Sequence, residues 1–139
     1  MPIDWPLLLA ALIAVESGGD VKAVGDNGKA VGCLQIHPVM VHECNRILER
    51  KFGPHKEGAF KFKLKHRQWE STSRNMAIIY LRYWGDHYYH KHGEKPGYEV
   101  YAKLWNGGPK GYKKDATERY WQKVKREMER IRKEGEIEQ

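Results

Sequence analysis

At 139 residues the chain is long enough for one domain with its own core, residues 1–139, and short for two. Its 40% hydrophobic and 12% aromatic content excludes a disordered protein, although 31% of the residues are charged and the last few read as frayed. A net charge of +7 predicts attraction to polyanions, a condition that nucleic acid, an anionic membrane surface and an acidic wall polymer all meet. Two cysteines, Cys33 and Cys44, exclude a disulfide framework and a four-cysteine zinc site, leaving two reduced thiols or one bridge.

The first helix is expected over about residues 5 to 17, with Asp4 as N-cap, Pro6 in the first turn and Gly18-Gly19 as the stop. Its apolar run WPLLLAALIAV lacks the basic residues that precede the core of a secretory signal, and no stretch reaches the ~18 apolar residues of a membrane span. Synthesis in the cytoplasm without a recognisable signal peptide is therefore expected. Leu8, Leu12, Val15 and Glu16 fall at i, i+4, i+7 and i+8, so Glu16 continues the buried stripe. Residues 18 to 37 carry five glycines and read as an irregular loop or a short β-hairpin turning at Asp26-Asn27-Gly28.

Pro38 opens a second helix to about Lys51, with Val39, Val41, Ile47 and Leu48 as core positions. The Lys-rich segment KFGPHKEGAFKFKLKHR, residues 51 to 67, reads as a surface excursion. A long helix follows from about Thr72 to His92, presenting Met76, Ile79, Tyr80, Tyr83 and Trp84 on one face. A shorter helix over about 98 to 105 breaks at NGGP. The last helix, from about Asp115 to Lys133, places Tyr120, Val124, Met128 and Ile131 on one side.

The acid at the end of the first helix carries the chemical interest. Burial disfavours its ionised form, and the partial negative charge of a helix C-terminus disfavours it again, so both effects predict a raised pKa. A carboxyl group that keeps its proton near neutrality can hand it to a leaving oxygen. The alternative is an ordinary glutamate that reaches solvent or pairs with one of the many bases.

The blocks ALIAVESGGD, GDNGKAVGCLQIHP, NMAIIYLRYW, LWNGGP and TERYWQKV, in that order, resemble the lytic transglycosylase and goose-type lysozyme superfamily over about Leu8 to Val124. The resemblance implies a mainly α, lysozyme-like single domain with a small irregular or β-hairpin loop region. It implies Glu16 as the single general acid/base and Gly32 to Ile36 as the cleft lining. Trp105-Asn106-Gly107 match the family's usual Tyr-Asn-Ala/Gly, and Thr117 and Tyr120 match a late Thr-x-x-Tyr whose tyrosine would orient the acid. Tyr120 equally suits a core position on the last helix. Gln35 and Asn106 supply amides for acetamido and hydroxyl groups, Gly107 and Gly108 allow close backbone approach, and Trp105 is the favoured aromatic platform over Trp69 and Tyr101. Three positions depart from the pattern: Trp105 replaces a tyrosine, Cys33 replaces an apolar residue, and Gly25-Asp26 stand where many lytic enzymes have serine.

The activity so implied is cleavage of the β-1,4 bond between N-acetylmuramic acid and N-acetylglucosamine in peptidoglycan, with a 1,6-anhydro product if the sugar's own C6 hydroxyl attacks. A hydrolytic muramidase, or lysozyme, would instead use Asp26 or Asp20 to position water, although both residues also suit turn and cap roles. The resemblance implies a monomer with no cofactor and no metal, acting on wall glycan strands as a phage lysin, a virion component or part of a secretion apparatus. His87, His90, Asp86 and His92 read as a solvated helix end rather than a metal site. A non-enzymatic, basic nucleic-acid-binding module is the competing class, supported by Lys51 to Arg67 and by the last helix. Glu118, Glu127, Glu129 and Glu134 weaken it by interleaving acids with those bases.

Overall fold

Asp4 starts the first helix as its residue type predicts, its side-chain oxygen accepting the Leu7 N–H at 3.1 Å. The computed structural model describes residues 2–53 and 60–138. Among these residues lie five α-helices: α1 (Trp5–Ser17), α2 (Pro38–Phe52), α3 (Glu70–His92), α4 (Tyr98–Gly107) and α5 (Glu118–Glu138). Strands β1 (Val24–Gly25) and β2 (Ala30–Val31) form a two-stranded antiparallel sheet with Val24 opposite Val31 and Gly25 opposite Ala30. The chain divides into two compact units, Glu16–Tyr83 on the one hand and Met1–Val15 with Trp84–Gln139 on the other.

In the unit Glu16–Tyr83, the hairpin turns through Asp26 and Asn27, both in the left-handed region at φ 49° and 56°. Short polar side chains tolerate that region, which is why this turn is legible in the sequence. On α2 the buried row is Val41, Cys44 and Ile47, and Leu48 is half-buried. Val39, expected in the core, is 67% exposed. Residues two apart point to different sides of a helix, so Val39 and Val41 cannot share the row. The expected surface excursion contains a buried anchor, Phe62, and a 3-10 turn at Leu64–Gln68; its residues 54–59 lie outside those described.

In the other unit, Trp5 of α1 meets Tyr101 of α4 edge to face at 4.9 Å, and the Tyr98 hydroxyl accepts the Asp4 N–H at 2.9 Å. The helix expected to break at NGGP continues through Asn106 and Gly107 and ends at Gly108, whose N–H donates to the Leu104 carbonyl. The helix expected from Asp115 begins instead at Glu118, after a 3-10 turn at Asp115–Thr117, and extends to Glu138. Val124 and Met128 are its buried residues, with Tyr120 and Ile131 half-buried beside them. No helix among the described residues is long and apolar enough to cross a membrane.

Candidate functional site

Glu16 occupies the last turn of α1, half-buried, and that turn contains no basic residue. The neighbouring Ser17 hydroxyl donates to the Cys33 carbonyl at 2.8 Å and accepts the Gly19 N–H at 3.1 Å. This hydroxyl ties the Glu-Ser end of the helix to the GCLQI block, two motifs that the sequence separates by about one loop. Asp20 closes the loop locally, accepting the Lys22 N–H at 2.8 Å as an Asx turn does.

The hairpin is held by side chains as well as by its short ladder. Gln35, at φ 51°, donates its amide protons to the carbonyls of Ala23 (3.1 Å) and Gly32 (3.0 Å), so that nitrogen bonds within the loop. Gly32 adopts φ +87°, and a Cβ there would fall inside the Arg67 carbonyl oxygen. Arg67 in turn donates to the carbonyls of Lys29 (3.0 Å), Ile36 (3.1 Å) and Leu64 (3.0 Å). Asp26 remains at the hairpin tip with 68% of its side chain exposed, its carboxylate 2.8 Å from His37 Nε2.

The second set of expected residues lies in the unit Met1–Val15 with Trp84–Gln139. Asn106 is exposed at the end of α4, whereas Trp105 is 8% exposed, so packing accounts for it and little of its ring is open to a sugar. Gly107 is crowded by Thr117, whose methyl lies where a Cβ would be, and its carbonyl accepts Lys114 Nζ at 2.8 Å. The buried Thr117 hydroxyl lies 2.7 Å from the Gly111 carbonyl and 2.8 Å from that of Lys114. Thus the NGGP turn and the Thr-x-x-Tyr block meet through Gly107 and Thr117. Tyr120 lies in the first turn of α5 and is half-buried.

Lys103 was not singled out by its sequence. Its side chain is 10% exposed and its ammonium meets Glu118 at 2.8 Å and Glu99 at 3.4 Å. The hydrogen bond that Lys103 donates to Glu118 is the main cause that raises the Lys103 pKa and lowers that of Glu118. The Glu99-Lys103 spacing of four was the available signal. His37 and Arg67 carried none, since one histidine before a proline and one base among many look ordinary.

Both cysteines are free and buried. Burial, reinforced by Glu43, pushes the Cys44 thiol up to about 12, and burial first among several causes raises Cys33. Each behaves as a small protonated hydrophobe. Among the described residues no group of three His, Cys, Asp or Glu side chains is placed to hold a metal ion. The histidines of α3 pack on separate aromatic partners, His87 on Trp84 at 4.9 Å and His92 on Tyr88 at 4.4 Å.

The fold defines a mainly helical protein with a small two-stranded antiparallel sheet. No protein-family model matches the chain, and no curated protein matches it.

Proposed function

We propose that this protein is a lysozyme-like glycosidase that cleaves the β-1,4 bond between N-acetylmuramic acid and N-acetylglucosamine, with Glu16 as its general acid/base. The observation that carries the reading is the Ser17 bond to Cys33, which joins the helix end bearing Glu16 to the strained glycine-rich hairpin. A carboxyl group in the last turn of a helix, half-buried and with no base in that turn, suits proton donation. Glu16 would protonate the glycosidic oxygen as the C1–O bond breaks, with the substrate's acetamido group stabilising C1. The resulting carboxylate would then accept the C6 hydroxyl proton as O6 bonds C1, giving the 1,6-anhydro end. The substrate roles of Asn106 and Gly107 and the orienting role of Tyr120 belong to the same proposal, whereas Trp105 is taken up by packing and Gln35 keeps only its amide oxygen for a sugar.

One observation favours a second reading, hydrolysis. Asp26 is exposed at the hairpin tip and steadied by His37, which suits a carboxylate that positions water. Asp20 is less suited, because its oxygen serves the loop backbone. Digestion of purified peptidoglycan followed by mass spectrometry of the soluble fragments tests the proposal. Anhydro ends, lighter by one water, mean the lytic reaction; reducing ends mean hydrolysis; an undigested wall overturns both.

A further inference from the structure

Residues 60–69, FKFKLKHRQW, form a segment that is pinned to its unit and yet presents rings and bases to solvent. Phe62 is the anchor, 4% exposed, and Asn45 holds its backbone from both sides, donating to its carbonyl at 2.9 Å and accepting its N–H at 2.8 Å. The Lys63 N–H donates to His66 Nδ1 at 2.8 Å while the His66 N–H donates to the Lys63 carbonyl at 3.0 Å. Ser73 Oγ donates to the Arg67 carbonyl at 3.1 Å, and the Thr72 hydroxyl donates to the His66 carbonyl.

On this frame Phe60 is 61% exposed and Trp69 50% exposed, with His66 between them. Phe60 stacks on His66 at 5.9 Å and 26°, and Trp69 tilts against His66 at 5.4 Å. Lys61, Lys63 and Lys65 are all exposed, none has an acidic partner among the described residues, and no acid occurs from Phe60 to Trp69. Exposed rings held in place beside uncompensated bases favour a ligand that combines apolar faces with negative charge.

We propose that residues 60–69 are a binding surface for an anionic polysaccharide of the cell wall, contacted by Phe60 and Trp69 through the C–H faces of its sugars and by the three lysines through phosphate or carboxylate groups. The choice of a wall polymer rests on the proposed function. A single-stranded nucleic acid requires a run of open ring faces for successive bases. Here Phe60 and Trp69 both pack against His66, and Phe62 is buried, which leaves outer faces only on Phe60 and Trp69.

The test uses the full chain carrying Glu16→Gln, so that retention does not depend on cutting. Its binding to purified sacculi is measured against the same protein with Lys61→Glu, Lys63→Glu and Lys65→Glu added, and against one with Phe60→Ser added. The proposal expects the lysine triple to weaken binding by about tenfold or more, with a weaker loss for Phe60→Ser. Loss of binding by the Glu16→Gln chain after phosphodiester polymers are stripped from the sacculi assigns the charge to phosphate; retention assigns it to peptidoglycan carboxylates. Undiminished binding by the lysine triple overturns the proposal, as does tighter binding to a poly-dT oligonucleotide than to sacculi at equal salt. If the glutamate triple fails to fold, the corresponding glutamine triple gives the same readout. Failure of the wild type to digest walls would count against the glycosidase alone, since this binding is read without it.

Discussion

The two units hold their motif residues by different means. In Glu16–Tyr83 the strands are only two residues long, and side chains supply the bonds that a longer ladder would: Gln35, Arg67 and Ser17 all donate to main-chain carbonyls. In the other unit the helices satisfy most of the backbone, side chains bond main-chain groups at helix ends and turns, as Thr117 and Lys114 do, and Lys103 is left for charge pairing with Glu99 and Glu118. An irregular loop is thus fixed by directional bonds to specific carbonyls, whereas a helical unit can lose a pair and keep its geometry.

Glycine substitutions press hardest on this contrast. A Cβ at Gly32 would enter the Arg67 carbonyl, and one at Gly111 would enter the Lys103 carbonyl, but only Gly32 also needs a left-handed φ. Gly32→Ala is expected to cost about 3–5 kcal/mol, much of a typical domain's stability, and Gly111→Ala about 1–3 kcal/mol. Urea midpoints of the two variants check this, and equal losses would remove the part assigned to the φ angle.

The next effect sets Arg67 against Lys103. Arg67→Met takes one donor from each of the Lys29, Ile36 and Leu64 carbonyls, of which Ile36 keeps the Val31 N–H and the other two are open to water, and should cost about 1–2 kcal/mol. Lys103→Met should stay within about 1 kcal/mol, because Glu99 and Glu118 are more than half exposed and turn to water. Chemical denaturation of both variants measures the difference, and a costlier Lys103→Met would reverse the account of how the units are held.

A smaller effect comes from pH. Folded Cys44 keeps its proton up to about pH 12, whereas the unfolded thiol ionises near 9.0, so between those values the unfolded chain binds fewer protons and stability falls as pH rises. Tyr80, raised to about 12 chiefly by burial, adds the same sign above 10.0. Stability measured from pH 8 upward should decline by up to about 1 kcal/mol per pH unit from the thiol, and Cys44→Ala should flatten that limb. An unchanged slope in the variant would mean that the thiol does not contribute.

Much of this architecture is legible in the sequence because local chemistry decides it. Asp4 and Gly18-Gly19 bound α1, Pro38 opens α2, and Asp26-Asn27-Gly28 turns the hairpin. Misplacements occur where tertiary packing overrides local signals. Asn106 and Gly107 remain helical because Gly107 packs on Thr117, and Phe62 is buried inside a lysine-rich run because Asn45, distant in sequence, binds its backbone. The placement of Glu16 in the last turn follows from the capping pattern. The bonds of Gln35 to Ala23, of His37 to Asp26 and of Arg67 to Lys29 do not, since each joins residues at least eleven positions apart for which the sequence offers no spacing rule.

The central claim is that Glu16 delivers the proton that cleaves the glycan, and the most direct measurement is the rate of wall clearing by the wild type and by Glu16→Gln, both confirmed folded by their thermal transitions. The account predicts a loss of at least about a hundredfold in the amide variant. Clearing at the wild-type rate by Glu16→Gln would contradict it.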